Sequence, residues 1–422
     1  MRRIAPLLRA WGFRAIAYLR DDFISFAVVN SCKDGIVRQI SRRGFLYGSA
    51  ALSLAALPGW IQAAQGGSKE LLLVGTQTAE TSKGIYAYTL DGATGGLTQI
   101  GLAAEADNPT FLVLAPNGRT VFVANELAEY EGKSGGAVSS YTLDRKNAKL
   151  TKINEVASHG AATCHVAVDH TGRAVFAANY NGGSAVSFLV SAGGRLSPSI
   201  SFEQYTGHGP DKDRQTVPHA HRVTVSPDNR FLLVNDLGLD EIHIYRLDAA
   251  TAKLTLNDPP AWKSAPGAGP RALRFHPNGR WAYCVTEMKS TVDVLHWDAH
   301  RGALETVQVL SMVPDSFHGV TGGADIVFDR AGRFAYAIDR FDDIVVTFSI
   351  SPADGKLTLL NRISCGGKVP RHLTLDPSGR WLLVANQASD NIAVFARDEK
   401  SGLLTGPGKS FPLSKPQCLV FA

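Results

Sequence analysis

A short phrase recurs about every 50 residues along this chain and constrains its fold more than any other feature. Each copy is a polar tetrad ending in Arg, then a hydrophobic run, then a polar pair. The complete copies are PNGRTVFVANE from Pro116, HTGRAVFAANY from His170, PDNRFLLVNDL from Pro227, PNGRWAYCVTE from Pro277, RAGRFAYAIDR from Arg330 and PSGRWLLVANQ from Pro377. A run rich in β-branched or aromatic residues precedes each copy, and two such runs joined by a tight turn form a β-hairpin. A hairpin repeated at this period predicts a β-propeller.

A seventh copy is split between the two ends of the repeat region. LLLVGTQT, from Leu71, is the second half of a hairpin without a first half, and the C-terminal KPQCLVFA, from Lys415, is a first half without a second. Pairing of these two segments would hide the sheet edges that an open array exposes. The sequence therefore predicts an all-β, seven-bladed β-propeller of four-stranded blades, with the first blade closed by the C-terminal strand.

The N-terminal region is typical of an export signal. Ser41-Arg42-Arg43-Gly44-Phe45-Leu46 precedes an apolar stretch from Tyr47 to Ile61, and small residues follow at Ala63-Ala64. This pattern predicts a twin-arginine signal peptide, and the stretch is shorter than the roughly 20 residues of a membrane span. We therefore expect residues 1–64 to be a leader and residues 65–422 to be the propeller domain. The alternatives are an amphipathic leader and an uncleaved anchor.

This signal predicts that the twin-arginine export machinery delivers the protein to the periplasm or beyond, with no membrane attachment after cleavage. The formal charge of +5 is concentrated in the leader, where residues 1–64 carry nine Lys and Arg and three Asp. The remainder carries 34 basic and 35 acidic residues, which argues against a nucleic-acid or anionic-membrane role. Five Cys without a CxxC spacing indicate small buried side chains. We expect no metal, no cofactor and a monomer.

Propeller topology places several reactive side chains at one mouth of the central channel. In each blade the innermost strand starts at this face and the second strand returns to it, so residues before the first and after the second strand meet there. The side chains at these positions include His165, His219, His221, Arg271, Glu287, Arg340 and Arg371. Arg binds carboxylate or phosphate as a planar fork, and Glu and His transfer protons. The set predicts a site for a small anionic ligand, or else polar plugs between blades.

Several segments resemble one known family. They include GPDKDRQTVPHAHRVTVSPD from Gly209, GPRALRFHPNGRWAYCVTE from Gly269 and VPRHLTLDPSGRWLLVANQASDNIAVF from Val369. Over about residues 70–422 the chain resembles the seven-bladed propeller lactonases, a family that includes propeller-type 6-phosphogluconolactonase and, more distantly, fungal carboxy-muconate lactonizing enzyme. The resemblance implies lactone chemistry at the mouth described above.

The resemblance also implies roles for particular residues. In the lactonizing branch a His, an Arg, a Glu and a second Arg are proposed to act on substrate, and they correspond to His221, Arg271, Glu287 and Arg340. The expected catalytic residues are Glu287, His221 and Arg271. The expected substrate-binding residues are Arg340, Arg371, His219, His165 and Arg214.

The predicted function is hydrolysis of a sugar-derived anionic lactone such as 6-phosphogluconolactone. Glu287 or His221 would activate water as a general base, and arginines would clamp the anion. Because typical phosphogluconolactonases are cytoplasmic, an exported member is also expected to meet unphosphorylated sugar lactones. The alternatives are a non-catalytic exported propeller that binds a ligand or protein at the same mouth, and a muconate-type cycloisomerase.

Overall fold

The computed structural model describes residues 2–3, 14–20, 23–29, 68–78 and 81–422. The chain contacts divide it into two units, residues 1–63 and 64–422. The first unit contains a three-stranded antiparallel sheet of β1 (Arg2–Arg3), β2 (Arg14–Arg20) and β3 (Phe23–Val29). The predicted twin-arginine pair and its apolar stretch lie outside the described residues. None of the described elements is a helix long and apolar enough to cross a membrane.

The second unit is built from seven four-stranded antiparallel sheets that follow one another along the chain. The first sheet contains β4 (Lys69–Thr76), β5 (Gly84–Asp91) and β6 (Gly96–Glu105). The second contains β7 (Pro109–Leu114), β8 (Thr120–Asn125), β11 (Ala137–Asp144) and β12 (Lys149–Ala157), with a small hairpin of β9 (Glu129–Tyr130) and β10 (Lys133–Ser134) after β8. The third contains β13 (Thr163–Val168), β14 (Ala174–Asn179), β15 (Ser184–Val190) and β16 (Leu196–Gln204).

The remaining sheets repeat this arrangement. The fourth contains β17 (Ala220–Val225), β18 (Phe231–Asp236), β19 (Glu241–Asp248) and β20 (Lys253–Lys263). The fifth contains β21 (Pro270–Phe275), β22 (Trp281–Thr286), β23 (Thr291–Asp298) and β24 (Ala303–Ser311). The sixth contains β25 (Gly323–Phe328), β26 (Phe334–Asp339), β27 (Ile344–Ile350) and β28 (Leu357–Ser364). The seventh contains β29 (Pro370–Leu375), β30 (Trp381–Asn386), β31 (Asn391–Arg397) and β32 (Leu404–Pro412), and the chain ends with β33 (Pro416–Phe421).

The C-terminal strand closes the ring. β33 pairs antiparallel with β4, with Pro416 opposite Thr76 and Leu419 opposite Val74, so the first sheet has the order β33-β4-β5-β6. Cys418 and Leu419 of β33 are buried. The predicted seven-bladed propeller and its closure by the C-terminal strand are therefore confirmed.

The core lies between adjacent blades. Both faces of a blade pack against a neighbour, so a second strand such as β22 is buried along its whole length. Tyr283 of β22 and Tyr336 of β26 are fully buried, and their hydroxyls donate to the backbone oxygens of Gly355 and Gly402 in the next blade, each at 2.6 Å. A buried Tyr thus contributes apolar area and satisfies its polar end at the same time.

Every innermost strand carries a bulge near its start. Where the innermost strand pairs with the second strand of its blade, the second residue of the innermost strand has no pairing partner. In the sixth blade the third residue of the innermost strand has none either. The skipped second residues, here called the bulge ring, are Thr110, Cys164, His221, Arg271, Ala324, Arg371 and Gln417. A bulge re-aims a side chain that would otherwise follow the regular alternation of the strand.

A second ring of equivalent positions follows the second strands. In each blade the backbone N–H of the residue after the second strand donates to the carbonyl oxygen of the residue before the innermost strand. These residues, here called the exit ring, are Gln77, Glu126, Tyr180, Leu237, Glu287, Arg340 and Gln387. The shared hydrogen bond brings the exit ring beside the bulge ring, as the strand topology predicts.

Candidate active site

The bulge ring surrounds a recess at the mouth of the central channel. The recess is small, with a cavity volume of about 30 Å³, and it is partly open to solvent. Six bulge-ring residues line it, namely Thr110, Cys164, His221, Arg271, Arg371 and Gln417. The other lining residues are Phe111, Glu126, His165, Arg222 and Asp325. The wall is therefore formed by the positions that leave the regular strand ladder.

Glu287 lies beside this recess at the centre of three arginines. Its side chain is 5% exposed, and Oε1 lies 2.5 Å from Arg214 Nη2. Oε2 lies 3.0 Å from Arg271 Nε and 2.8 Å from Arg340 Nη2. Burial by itself would raise the pKa of Glu287, but Arg340, Arg271 and Arg214 outweigh it and lower the pKa to about 2. The carboxylate is therefore a fixed negative charge at neutral pH.

Two of these arginines are anchored to the backbone of the sixth blade. Arg271 Nη1 donates to Ala324 O, and Arg340 Nε donates to Gly322 O at 3.2 Å. Their contacts with Glu287 are ion pairs without hydrogen-bond alignment. Burial lowers the pKa of Arg271 to about 9, and repulsion from neighbouring arginines adds to this shift. Arg271 lines the recess, whereas Arg340 is not among its lining residues.

Arg371 and His221 are two of the recess groups that keep free polar atoms. Within the described part of the chain, the Arg371 guanidinium makes no hydrogen bond and no ion pair. Burial lowers its pKa, as does the positive charge of Arg340. The His221 ring meets the Tyr180 ring edge-on at 5.6 Å, and its nitrogens have no hydrogen-bond partner among the described residues. Burial holds the pKa of His221 well below 6.5, and the positive charges of Arg271 and Arg371 lower it further. The imidazole is therefore neutral at neutral pH.

The other two predicted histidines have different surroundings. His165 is 5% exposed, its ring packs 4.0 Å from that of Phe111, and its Nδ1 accepts from Val223 N at 3.4 Å. Its Nε2 has no partner, and burial holds its pKa well below 6.5. His219 stacks on Tyr180 at 4.4 Å, with Nδ1 3.1 Å from Tyr180 O. His219 is outside the recess lining. It stacks on Tyr180, whose ring also meets the ring of His221.

Arg214 extends over the mouth from the connection between β16 and β17. Its half-exposed side chain contacts Tyr180 OH at 3.2 Å as well as Glu287. Asp211 Oδ1 accepts from the backbone N of Arg214 at 2.8 Å, and Gln215 Nε2 donates to Leu237 O at 2.8 Å. These bonds hold the connection in place, so Arg214 links three different blades at the site.

The floor of the recess is a buried ion cluster that sequence reasoning did not select. Asp325 Oδ1 lies 2.9 Å from Arg222 Nη1, and Asp325 Oδ2 lies 3.0 Å from Arg274 Nη2 and 3.6 Å from His372 Nε2. Burial opposes ionisation of Asp325, but the two arginines and His372 hold its pKa well below 3.8. The sequence contained one indication that Asp325 belongs to the site, because this residue stands at the start of an innermost strand, like several residues that were predicted.

Four of the five cysteines fall in the described region and are free and buried there: Cys164, Cys284, Cys365 and Cys418. Burial raises the pKa of each of these thiols. In residues 68–78 and 81–422, no three His, Cys, Asp or Glu side chains are grouped closely enough to hold a metal ion.

Comparison with known proteins identifies the family. Residues 71–421 match the family described as "Lactonase, 7-bladed beta-propeller". The chain belongs to this lactonase family. The match extends from Leu71 within β4 to Phe421, the last residue of β33, so it covers all seven blades.

Relatives of this lactonase-family chain carry lactonase names. It is 32% identical over 354 residues to a 6-phosphogluconolactonase of Bacillus subtilis strain 168, covering 84% of this chain and 99% of that protein. It is 33% identical over 328 residues to a 6-phosphogluconolactonase of Klebsiella pneumoniae strain 342, covering 78% and 92%. The solved structure of a Pseudomonas aeruginosa periplasmic gluconolactonase matches with a TM-score of 0.79 and 36% identity, covering 84% and 99%. The predicted likeness to 6-phosphogluconolactonase-type lactone hydrolases is therefore confirmed.

The candidate site brings most of the predicted residues together. Glu287, Arg271, Arg340 and Arg214 form one ion cluster, while His221, Arg371 and His165 line the adjoining recess. His219 stands apart from both groups. Glu126 and Asp325, which line the recess, were not predicted as site residues.

Proposed function

We propose that this protein hydrolyses a sugar-derived lactone that carries an anionic group, such as 6-phosphogluconolactone. The observation that carries the proposal is the Arg371 guanidinium on the recess wall, because it has no partner within the described chain. A half-buried guanidinium that no carboxylate contacts directly favours a ligand that brings a phosphate or carboxylate. The lactonase names of the relatives supply the reaction class.

Hydrolysis requires a positioned water and a positive group beside the developing oxyanion. Arg271 lines the recess with its orientation fixed by Glu287 and the Ala324 carbonyl, so we assign it to the oxyanion. We assign His221 the contact with the attacking water, because its neutral ring has two free nitrogens. Arg371 then holds the anionic substituent of the substrate.

Glu287 receives a different role from the one its sequence position suggested. A carboxylate with three ion pairs and a pKa of about 2 is a weak proton acceptor. We propose that Glu287 positions Arg271, and that Arg340 supports Glu287 instead of binding substrate, since Arg340 is not among the recess-lining residues. Arg214 closes the cluster from the solvent side.

A pH-stat assay of the purified protein on phosphorylated and unphosphorylated sugar lactones tests this function. We expect acid release above the spontaneous rate, and a drop in kcat of about 10²-fold in His221→Ala because the attacking water loses a positioning contact. The exposed His300→Ala is the matched control and should keep wild-type kcat. No acid release above the spontaneous rate on any lactone would contradict hydrolysis and favour the non-catalytic propeller.

We also propose that the protein reaches the periplasm through a twin-arginine signal at Arg42-Arg43. A solved relative is named a periplasmic gluconolactonase, which supports this compartment. Cell fractionation of an Arg42→Lys, Arg43→Lys double variant should find the protein retained in the cytoplasm. Export at the wild-type level would contradict the signal.

A further inference from the structure

Two glutamates occupy equivalent positions in different blades of the propeller. Glu126 follows β8 and Glu287 follows β22, and both belong to the exit ring. The Glu126 N–H donates to Asn108 O at 2.9 Å, and the Glu287 N–H donates to Gly269 O at 2.8 Å. The blades that carry them are the second and fifth of seven, so the two backbones meet the mouth from well-separated parts of the ring.

The two carboxylates have very different partners. Glu287 contacts three arginines, whereas the Glu126 carboxylate has no hydrogen bond and no ion pair within the described residues. Glu126 lines the recess together with Arg371 and His221. Its negative charge partly offsets the lowering of the Arg371 pKa, which is consistent with both groups lining the same recess. Glu126 is thus a half-buried carboxylate with open lone pairs at the site where substrate would bind.

The backbone around Glu126 is well anchored. Leu127 N donates to Asn125 O at 2.9 Å, and Ala162 N donates to Leu127 O at 2.7 Å. The Asn125 side chain donates through Nδ2 to Asp107 O at 2.8 Å. Hydrogen bonds on both sides of Glu126 therefore fix its backbone, as effective catalytic groups require.

We propose that Glu126 is the catalytic residue that accepts the proton of the attacking water, an inference that rests on the proposed lactone hydrolysis. Glu126 takes one proton from water while the water oxygen bonds to the lactone carbonyl carbon. The carbonyl π electrons move to the carbonyl oxygen beside Arg271. When the carbonyl re-forms, the ring C–O bond breaks, and protonated Glu126 returns the proton to the ring oxygen. The products are a hydroxy acid and the original carboxylate.

Two substitutions test this role on the lactone that the wild type hydrolyses fastest in the pH-stat panel. Glu126→Gln keeps the shape and removes the basic oxygen, so kcat should fall about 10²-fold or more at a nearly unchanged KM. Glu126→Ala leaves space for a small carboxylate, and added formate should restore part of its kcat. Glu129→Gln, on the exposed hairpin that follows, is the matched control and should behave as wild type. Melting temperatures should match the wild type, because the Glu126 side chain makes no hydrogen bond or ion pair with the described residues.

The outcomes separate the two proposals. A kcat within threefold of wild type in Glu126→Gln, with the wild type active, overturns the role of Glu126 and leaves lactone hydrolysis intact. A loss of kcat in Glu126→Ala that formate does not restore also overturns it, because a structural defect would behave in this way. A wild type that hydrolyses no lactone overturns the proposed function, and the role of Glu126 falls with it.

Discussion

Arg214 Nη2 lies 2.5 Å from Glu287 Oε1, although the two residues are 73 positions apart and come from different blades. Arg214 is half exposed on a connection, while Glu287 is buried and already faces Arg271 and Arg340. The contact therefore joins a surface connection to the interior of the site. It makes Arg214 the outermost part of the ion cluster.

Arg214→Ala should weaken substrate binding without unfolding the protein. We expect KM to rise about 10-fold with kcat nearly unchanged, because the mouth of the recess loses one of its positively charged side chains. Half-exposed ion pairs contribute at most about 1 kcal/mol to stability, so the melting temperature should change little. Steady-state kinetics beside the exposed control Lys212→Ala measure this. An unchanged KM would show that Arg214 plays no part in binding.

Arg371→Ala should act mainly on the anionic part of the substrate. KM for an anionic lactone should rise about 10²-fold while kcat falls much less, as expected for an interaction present in both ground and transition states. Arg371→Lys should recover only part of the loss, because Lys lacks the planar fork. A neutral lactone with the same ring is the internal control, and its KM should not change. Equal effects on both lactones would argue against an anion clamp.

Glu287 should make stability depend on pH in the acid range. Its pKa is lowered from 4.5 to about 2 in the folded state, so its contribution is fully present above about pH 5 and is lost as pH falls toward 2. The pH-dependent part is on the order of 3 kcal/mol for this buried group. Urea unfolding of wild type and Glu287→Gln from pH 6 to pH 2 should therefore give a difference that shrinks on acidification. The exposed control Glu399→Gln should follow the wild-type curve, and a constant difference would refute the assignment.

Asp325→Asn should destabilise the fold strongly. The substitution leaves Arg222 and Arg274 without their counter-ion, and Arg222 is 8% exposed. Removing one member of a buried ion pair costs about 3–5 kcal/mol. Chemical denaturation should detect this loss, with Asp354→Asn on an exposed turn as the control. A loss below about 1 kcal/mol would mean that water reaches the cluster and screens it.

Deletion of residues 415–422 should open the ring. The truncation removes β33, exposes the backbone of β4 as a free sheet edge and uncovers apolar side chains that pack on Leu419. Free edges pair with other chains, so aggregation and a lower melting temperature are expected by light scattering and calorimetry. An unchanged melting temperature and a monodisperse sample would be incompatible with closure by this strand.

The sequence alone was sufficient for the fold and for the face that carries the site. Each tetrad and its flanking runs specify a local hairpin, and the split copy at Leu71 and Lys415 specifies the closure, because register follows from the hydrophobic pattern of the strands. Strand topology also sufficed to place Glu287 near Arg271, since they lie at the end and the start of paired strands. Membership of the lactonase family followed from the same segments.

The partners and charges of the site were decided only by the tertiary structure. Whether Glu287 or Glu126 is surrounded by arginines depends on which side chains from other blades reach it, and Arg214 reaches Glu287 across a connection that no repeat pattern describes. The bulges that turn His221 and Arg371 into the recess are likewise absent from the period-two pattern of the strands. A pKa depends on burial and on charges brought near by folding. The sequence determined which residues surround the mouth, and the packing of the seven blades decided which of them remain free to act on a substrate.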